Sequence, residues 1–285
     1  MKSHEKKVER FYSTGSKKRK CDYTNRKPHD EGFLSFGYWE KDTKTYLEAT
    51  KNLLYFFTEN SGITRPTRML NVACGYGTET LSHYENFRPR EIIGLDITKV
   101  HTDYANNRVK CQKLENHIKF FHGDACCLDF KENSFSHVVG IEGPAHFNTR
   151  QKFFKAVSRV LEKNGELLLT DIILGRRFNQ DRLLHRAAVR FISKLWLVPR
   201  SNCIDEKTYI KQIEEAGLKT VLFRRIGGQV FPGYARNGFT SRTIRTRFSQ
   251  RGFLATIGLT WISWLLGWLY RRGCMEYIFV KAKKA

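Results

Sequence analysis

The chain has 285 residues, 41% of them hydrophobic and 13% aromatic, which excludes a largely disordered protein and predicts one large domain or two small ones. Lys and Arg exceed Asp and Glu by 22, so the surface field favours anionic partners such as nucleic acid, anionic lipid or an acidic substrate. The seven cysteines are odd in number and form no CxxC pair, which argues against a disulfide framework or a zinc ribbon and favours a cytoplasmic location.

The N-terminal segment, residues 1–35, is basic and predicts a short charged helix near its start. A second helix, amphipathic, is predicted over 45–60. Beyond it, apolar strand segments alternate with helical ones. Strands are predicted at 68–73, 91–96, 117–124, 135–142, 165–174, 218–225 and 275–284, and helices at 78–87, 98–114, 150–163 and 205–216. This alternation predicts right-handed βαβ units and a single α/β domain over 36–285, with a sheet of about seven strands.

A glycine-rich turn, residues 73–78, joins the first strand of this domain to a helix. Backbone N–H groups in such a turn can approach a ligand closely. Asp96 ends the second strand and Asp124 follows the third, where carboxylates accept hydrogen bonds from ribose hydroxyls and from an adenine amino group. A dinucleotide fingerprint needs glycine where Ala73 and Thr78 stand. These residues therefore favour a ligand that contains adenosine and lacks a pyrophosphate.

Four segments in the right order resemble the motifs of class I S-adenosylmethionine-dependent methyltransferases, in particular the natural-product O-methyltransferases. They are LNVACGYGTET, GLDITKV, HGDACCLDF and the block from Ser134 to Ile173. The resemblance covers residues 35–225 and the last strand. It implies S-adenosylmethionine as cofactor and a Rossmann-like, mostly parallel sheet with helices on both faces, an antiparallel last strand and a helical insertion before it.

The resemblance also implies a cofactor shell. Its members are Tyr38, Asn71, Ala73, Gly75, Gly77, Asp96, Asp124, Ala125 and Glu142. The two glycines pass the methionine part, Asp96 holds the ribose, and Asp124 with the backbone of Ala125 reads the adenine. Asn71 and Ala73 stand where the family usually has Asp and Gly.

On the acceptor side, the resemblance assigns His146 as general base and Asp171 as its support. An imidazole suits proton removal at neutral pH. The open alternatives are a loop histidine that caps a helix and a strand-end carboxylate that bonds backbone. No metal site is predicted. The expected reaction is O-methylation of a small, largely apolar acceptor. C- or N-methylation of a lipid, terpenoid or amine stays open, as does a nucleic-acid-binding or regulatory protein on the same fold.

Two further segments are unusual. A helical cap, 176–204, alternates apolar and basic residues, and an Arg- and Trp-rich insertion, 228–274, precedes the last strand. Within the insertion, residues 253–270 carry no charge and as a helix would be about 27 Å long. The following strand must return to the sheet, which argues against a membrane span. The open interpretations are a lid, an in-plane contact with an anionic membrane through 236–272, and an ordinary core helix.

Overall fold

The computed structural model describes residues 3–18, 32–63, 67–178 and 183–285. The strands are β1 (Arg68–Val72), β2 (Glu91–Asp96), β3 (Ile118–His122), β4 (Phe135–Ile141), β5 (Leu161–Leu174), β6 (Leu218–Arg225) and β7 (Met275–Lys284). They form one sheet in the order β3-β2-β1-β4-β5-β7-β6. All pairs are parallel except those of β7, which runs antiparallel to both β5 and β6. The predicted fold class is confirmed.

Helices follow most strands. They are α1 (Ser3–Lys18), α2 (Tyr46–Glu59), α3 (Thr78–Phe87), α4 (Lys99–Cys111), α5 (Arg150–Val160), α6 (Leu183–Leu195), α7 (Glu206–Glu215), α8 (Gly227–Asn237), α9 (Ser241–Arg251) and α10 (Phe253–Arg271). The helix predicted over 150–163 ends earlier, because Leu161 leaves it and pairs with Phe135 in the sheet. The predicted N-terminal helix is formed, and most of the remaining basic N-terminal segment, 19–31, lies outside the described residues.

The inner strands β1, β2 and β4 are buried along most of their length because both faces of the sheet are covered there, whereas the edge strands β3 and β6 are partly exposed. On one face, Phe57 of α2 and Phe231 of α8 are fully buried. On the other face, Phe153 of α5 and Tyr209 of α7 are fully buried. The carboxyl ends of β1, β2 and β4 therefore open at one rim of a rigid, doubly covered sheet.

The insertion folds as α8, apart from its first residue, followed by α9 and α10. The small side of α10 packs against α8: Ser263 is fully buried, and a Cβ added at Gly267 would lie 2.6 Å from Cβ of Ala235. By length and composition alone, α10 is the one helix among the described residues that could cross a membrane, with a mean hydropathy of 1.4. It is followed at once by β7, an internal strand of the sheet.

Candidate active site

A cavity of about 320 Å³ lies at the carboxyl rim of the sheet, where the loops after β1, β2, β3, β4 and β5 meet. The predicted site residues that line it are Ala73, Gly75, Asp96, Asp124, Ala125, Glu142 and His146. The carboxyl ends of parallel strands are where ligands bind in open α/β sheets. Two regions make up the lining, a polar one beside the glycine turn and a more apolar one beneath α6.

The glycine turn and Asp96 form one hydrogen-bonded unit. Ala73 and Gly75 both have φ of +53°, a left-handed conformation that makes the tight turn after β1. The Asp96 carboxylate accepts from the backbone N–H of Gly75 at 2.9 Å and from that of Thr98 at 2.8 Å. Burial alone would raise the pKa of Asp96, but His101 and these two N–H groups outweigh it and hold the pKa below its usual value. Asp96 is thus an ionised acceptor at the cavity wall.

The third strand delivers a second carboxylate. Asp124 is half-buried, and its Oδ1 accepts from the backbone N–H of Cys126 at 2.8 Å. Its neighbour Ala125 is buried, and both residues line the cavity. The ionised Asp96 carboxylate, the close backbone approach at Gly75 and the second carboxylate at Asp124 form a donor and acceptor set that fits an adenosyl group. Asp96 would hold its ribose, and the Asp124–Ala125 turn would contact its base.

Three predicted members of the cofactor shell do not line the cavity. Tyr38 stacks on Phe56 of α2, with ring centroids 5.1 Å apart. Asn71 is buried and its side-chain amide donates to the Thr80 hydroxyl at 2.8 Å, which ties β1 to α3. Gly77 begins α3 with φ of +76°, and packing allows only glycine there. The structure thus places these three residues beside or behind the turn, outside the cavity wall, and their part in a cofactor shell stays a prediction.

Glu142 ends β4 and is held from two directions. Its Oε1 accepts from the backbone N–H of Phe36 at 2.7 Å and from the Tyr277 hydroxyl at 2.8 Å. Its own φ is +59°, a strained conformation for a residue with a side chain. Burial is the main cause that raises the pKa of Glu142 to about 8. Glu79 of α3 also lines the cavity, and burial raises the pKa of its carboxyl to about 8 as well.

His146 lies in the short 3-10 turn after β4 and lines the cavity. Its Nε2 is 3.0 Å from the hydroxyl of Tyr12 in α1, and its carbonyl oxygen is 3.0 Å from Nε2 of His4. Among the described residues its Nδ1 has no hydrogen-bond partner. Burial lowers the pKa of His146 to about 4, and the backbone of Trp196 and then the charge of Asp171 act in the opposite direction. The ring is therefore neutral at physiological pH and can accept a proton.

Asp171 does not contact His146, so the direct support predicted for the base is not formed. It is fully buried in β5, and Arg150 donates to both of its oxygens, from Nε at 2.7 Å and from Nη2 at 3.0 Å. Tyr209 and the backbone N–H of Ile172 complete its hydrogen bonds. These hydrogen bonds of the Asp171 carboxylate all go to residues other than His146.

The link between Asp171 and His146 runs through two other residues. Arg150 bonds the carbonyl of Asn202, and the Asn202 amide donates to the carbonyls of Ala145 at 3.1 Å and of Phe147 at 2.6 Å. These carbonyls flank His146 on both sides. Asp171 therefore orders the turn that carries the histidine, and it acts as a positioning residue.

The apolar region of the cavity comes mainly from the cap and the insertion. Val189, Ile192 and Trp196 line it from α6 and its end, Tyr234 from α8 and Leu269 from α10. The Phe36 ring lies 5.5 Å from Trp196 and 4.8 Å from Tyr234, between centroids. Aromatic faces thus surround the part of the cavity next to Glu142.

Sequence reasoning missed several lining residues. Tyr12 and Trp196 come from segments with no family motif, and their contacts join residues far apart along the chain. Glu79 offered a signal, because an acidic residue in the first turn after a glycine turn sits at the ligand-facing end of a helix. Over the described ranges, no group of three or more His, Cys, Asp or Glu residues is placed to hold a metal ion.

Comparison with known proteins agrees with this geometry. The family model described as "Methyltransferase domain" matches residues 69–165, from β1 into β5. Residues 69–165 therefore form a methyltransferase domain. The family and its cofactor, S-adenosylmethionine, are as predicted from the sequence motifs.

The relatives that this methyltransferase domain resembles act on varied small molecules by name. The chain is 29% identical over 200 residues to erythromycin 3''-O-methyltransferase of Saccharopolyspora erythraea, covering 70% of this chain and 65% of that protein. It is 23% identical over 217 residues to sterol 24-C-methyltransferase of Debaryomyces hansenii, covering 72% and 55%. The matches thus span less than two thirds of these relatives' length.

A solved structure extends the likeness to the whole fold of the chain. Geranyl diphosphate C-methyltransferase of Streptomyces coelicolor, in complex with Mg²⁺, geranyl diphosphate and S-adenosyl-L-homocysteine, superposes with a TM-score of 0.78. At 14% identity, the match covers 100% of this chain and 98% of that one. It shows a shared fold.

Proposed function

We propose that this protein transfers a methyl group from S-adenosylmethionine to a hydroxyl of a small, largely apolar acceptor, with His146 as general base. One observation carries the proposal. A single cavity joins the Asp96 and Gly75 unit, suited to an adenosyl group, to His146 and an apolar wall. Donor and acceptor bound in that cavity would lie side by side, and their alignment supplies much of the rate acceleration in a displacement.

The residues divide the work of that displacement. The bound cofactor supplies an electrophilic methyl group on a positively charged sulfur. Asp96 and Gly75 fix the donor at the rim of the sheet, and the apolar wall of α6 holds the acceptor and excludes water. As the new O–C bond forms, His146 takes the hydroxyl proton, and the electron pair of the broken C–S bond remains on sulfur. A neutral imidazole is the form that can accept this proton.

A second candidate is methylation at carbon, which the aromatic lining favours. Methyl addition to a double bond leaves a carbocation, and ring faces such as those of Phe36, Trp196 and Tyr234 stabilise a cation. Glu142 lies against this cluster through the backbone N–H of Phe36. A developing positive charge would favour its ionised form. In this case Glu142 replaces His146 as the decisive residue, because its ionised carboxylate would take the proton that the carbocation loses as the double bond re-forms.

The deciding experiment identifies the labelled product after incubation of the protein with isotope-labelled S-adenosylmethionine and extracts of the source cells. For O-methylation, His146→Ala should lower turnover by about 10²–10⁴-fold with unchanged cofactor affinity, because it removes the proton acceptor. The matched control is His122→Ala, a histidine that ends β3 and does not line the cavity. A His146→Ala variant as active as the His122→Ala control would contradict the assignment.

Two further variants separate the alternatives. Asp96→Ala should abolish S-adenosylmethionine binding measured by calorimetry, since it removes the diol acceptor and the tie to Gly75. Unchanged affinity would refute the cofactor site. Glu142→Gln should lose more turnover than His146→Ala if carbon is the acceptor atom, and less if oxygen is.

A further inference from the structure

The exposed apolar side chains of this protein are concentrated on three helices of the cap and the insertion. Of the eighteen large apolar side chains that are exposed in the described residues, eleven lie on α6, α9 and α10. Scattered exposed apolar residues are normal, whereas a cluster marks an interaction surface. We call the exposed faces of these three helices the docking surface.

The faces of α10 and α6 adjoin each other. On α10, Leu254 is 82% exposed, and Ile257, Trp261 and Trp264 follow it along the same side of the helix. On α6, Phe191 is exposed, and its ring contacts Trp261 edge to face at 5.9 Å. Two tryptophans and a phenylalanine thus lie together at the protein surface, on helices whose opposite faces are buried.

The surroundings of these apolar faces are basic. Residues 183–204 and 227–275, which contain the three helices, hold eleven Lys and Arg and no Asp or Glu. On α9, Arg242 and Arg245 are exposed beside the apolar side chains of Ile244 and Phe248. On α6, Arg190 and Lys194 are exposed, and each directly precedes an exposed apolar residue, Phe191 and Leu195 respectively. A purely cationic rim around aromatic and aliphatic groups is complementary to anionic lipid headgroups over acyl chains.

We propose that the docking surface binds the face of an anionic lipid bilayer, with α10 lying in the plane of the interface. A membrane span is disfavoured because the other side of α10, which includes the fully buried Ser263, packs on α8. It is also disfavoured because β7 begins at Met275, shortly after α10 ends. Tryptophan prefers the headgroup level, and arginine beside it pairs with lipid phosphates. A second copy of this chain would bring two basic rims together and is disfavoured by their repulsion.

The location of the docking surface gives it a consequence for substrate access, which rests on the proposed function. Two of its three helices also line the apolar region of the cavity from their inner sides, through Val189 and Ile192 of α6 and Leu269 of α10. Docking would therefore set the acceptor end of the cavity beside the bilayer. An acceptor of the matching class is an apolar hydroxylated molecule dissolved in the membrane.

The test is vesicle flotation with the full chain, without cofactor or acceptor, so its outcome is independent of methyl transfer. We expect binding to vesicles of phosphatidylcholine with phosphatidylserine, weaker binding to phosphatidylcholine alone, and loss of binding at high salt. Trp261→Ala with Trp264→Ala should weaken binding at least about tenfold. Arg242→Gln with Arg245→Gln should weaken it by about fivefold for each arginine. The arginine pair also serves if the tryptophan variant folds poorly.

Matched controls come from elsewhere on the surface. Phe121→Ala removes an exposed aromatic ring at the end of β3, and Lys110→Gln with Lys163→Gln removes two exposed charges, and both should bind like wild type. Absence of vesicle binding, or equal losses in controls and test variants, would overturn the proposal. So would resistance of bound protein to alkaline carbonate, which indicates a span. Dimerisation through the tryptophans, or salt-sensitive RNA binding that replaces vesicle binding, would overturn it too.

Discussion

Replacing Asp171 by Asn tests whether this carboxylate acts as the buried partner of Arg150. The substitution keeps the shape of the side chain and removes the charge that faces Arg150, whose side chain is 1% exposed while that of Asp171 is 0% exposed. Breaking a buried ion pair leaves an uncompensated charge and costs about 3–5 kcal/mol. We therefore expect the free energy of unfolding, measured in urea, to fall by about that amount.

The control for this prediction is Glu91→Gln. Glu91 forms a pair of similar geometry with Arg68, at 2.6 Å, but the two side chains are 28% and 38% exposed. Solvent screens such a pair, so its loss should cost less than about 1 kcal/mol. A second measurement follows the turn that carries His146: Asp171→Asn should lower turnover while cofactor affinity changes little. A destabilisation no larger than that of Glu91→Gln would refute the role assigned to the Asp171–Arg150 pair.

Two more predictions concern packing and pH. Gly77→Ala should destabilise the fold by about 1–3 kcal/mol, because φ is +76° and the new Cβ would lie 2.6 Å from Cζ of Phe120. Gly75→Ala should instead weaken cofactor binding. Equal effects of the two variants on cofactor binding would contradict the different roles given to the two glycines. His83 is buried with neither ring nitrogen hydrogen-bonded within the described residues, and burial lowers its pKa from 6.5 to about 4. Because the depressed pKa favours the neutral form, stability is fully present above pH 6.5 and declines as pH falls towards 4. His83→Leu should therefore gain about 2 kcal/mol relative to wild type at pH 5 and little at pH 8 from this source, as urea unfolding at both pH values would show; an equal difference at both would exclude it.

The fold and the polar half of the site could be predicted from sequence because their signals are local. The turn at Gly75 and the carboxylate at Asp96 each end an apolar strand, and parallel topology brings strand ends to one rim. The same motif does not separate Asn71 and Gly77 from the residues that line the cavity, because a residue that supports a glycine turn and one that lines it stand at adjacent positions in the same short segment. Whether such a residue faces the cavity or the core behind the turn is seen only in the three-dimensional structure.

The acceptor half depends on contacts between distant segments. Tyr12 contacts His146 from a helix that contains no family motif. Asp171 forms an ion pair with Arg150, and the sequence separation of these two residues does not predict that pair. A family resemblance assigns a role to Asp171 from its position in the sequence, but its hydrogen bonds depend on which donors lie nearest in the fold. The exposed rings of α10 were foreseeable from its composition, whereas their junction with Phe191 of α6 required the packed structure.

The phenol of Tyr12 already satisfies Nε2 of His146 before any acceptor arrives. An incoming hydroxyl that uses the same nitrogen exchanges one O–H contact for another, and such a swap yields little net free energy. Polar recognition at the base is therefore close to neutral in energy. If the protein methylates a hydroxyl as proposed, selectivity among alcohols then comes from how well their hydrocarbon parts pack against the wall formed by Ile192 and Trp196.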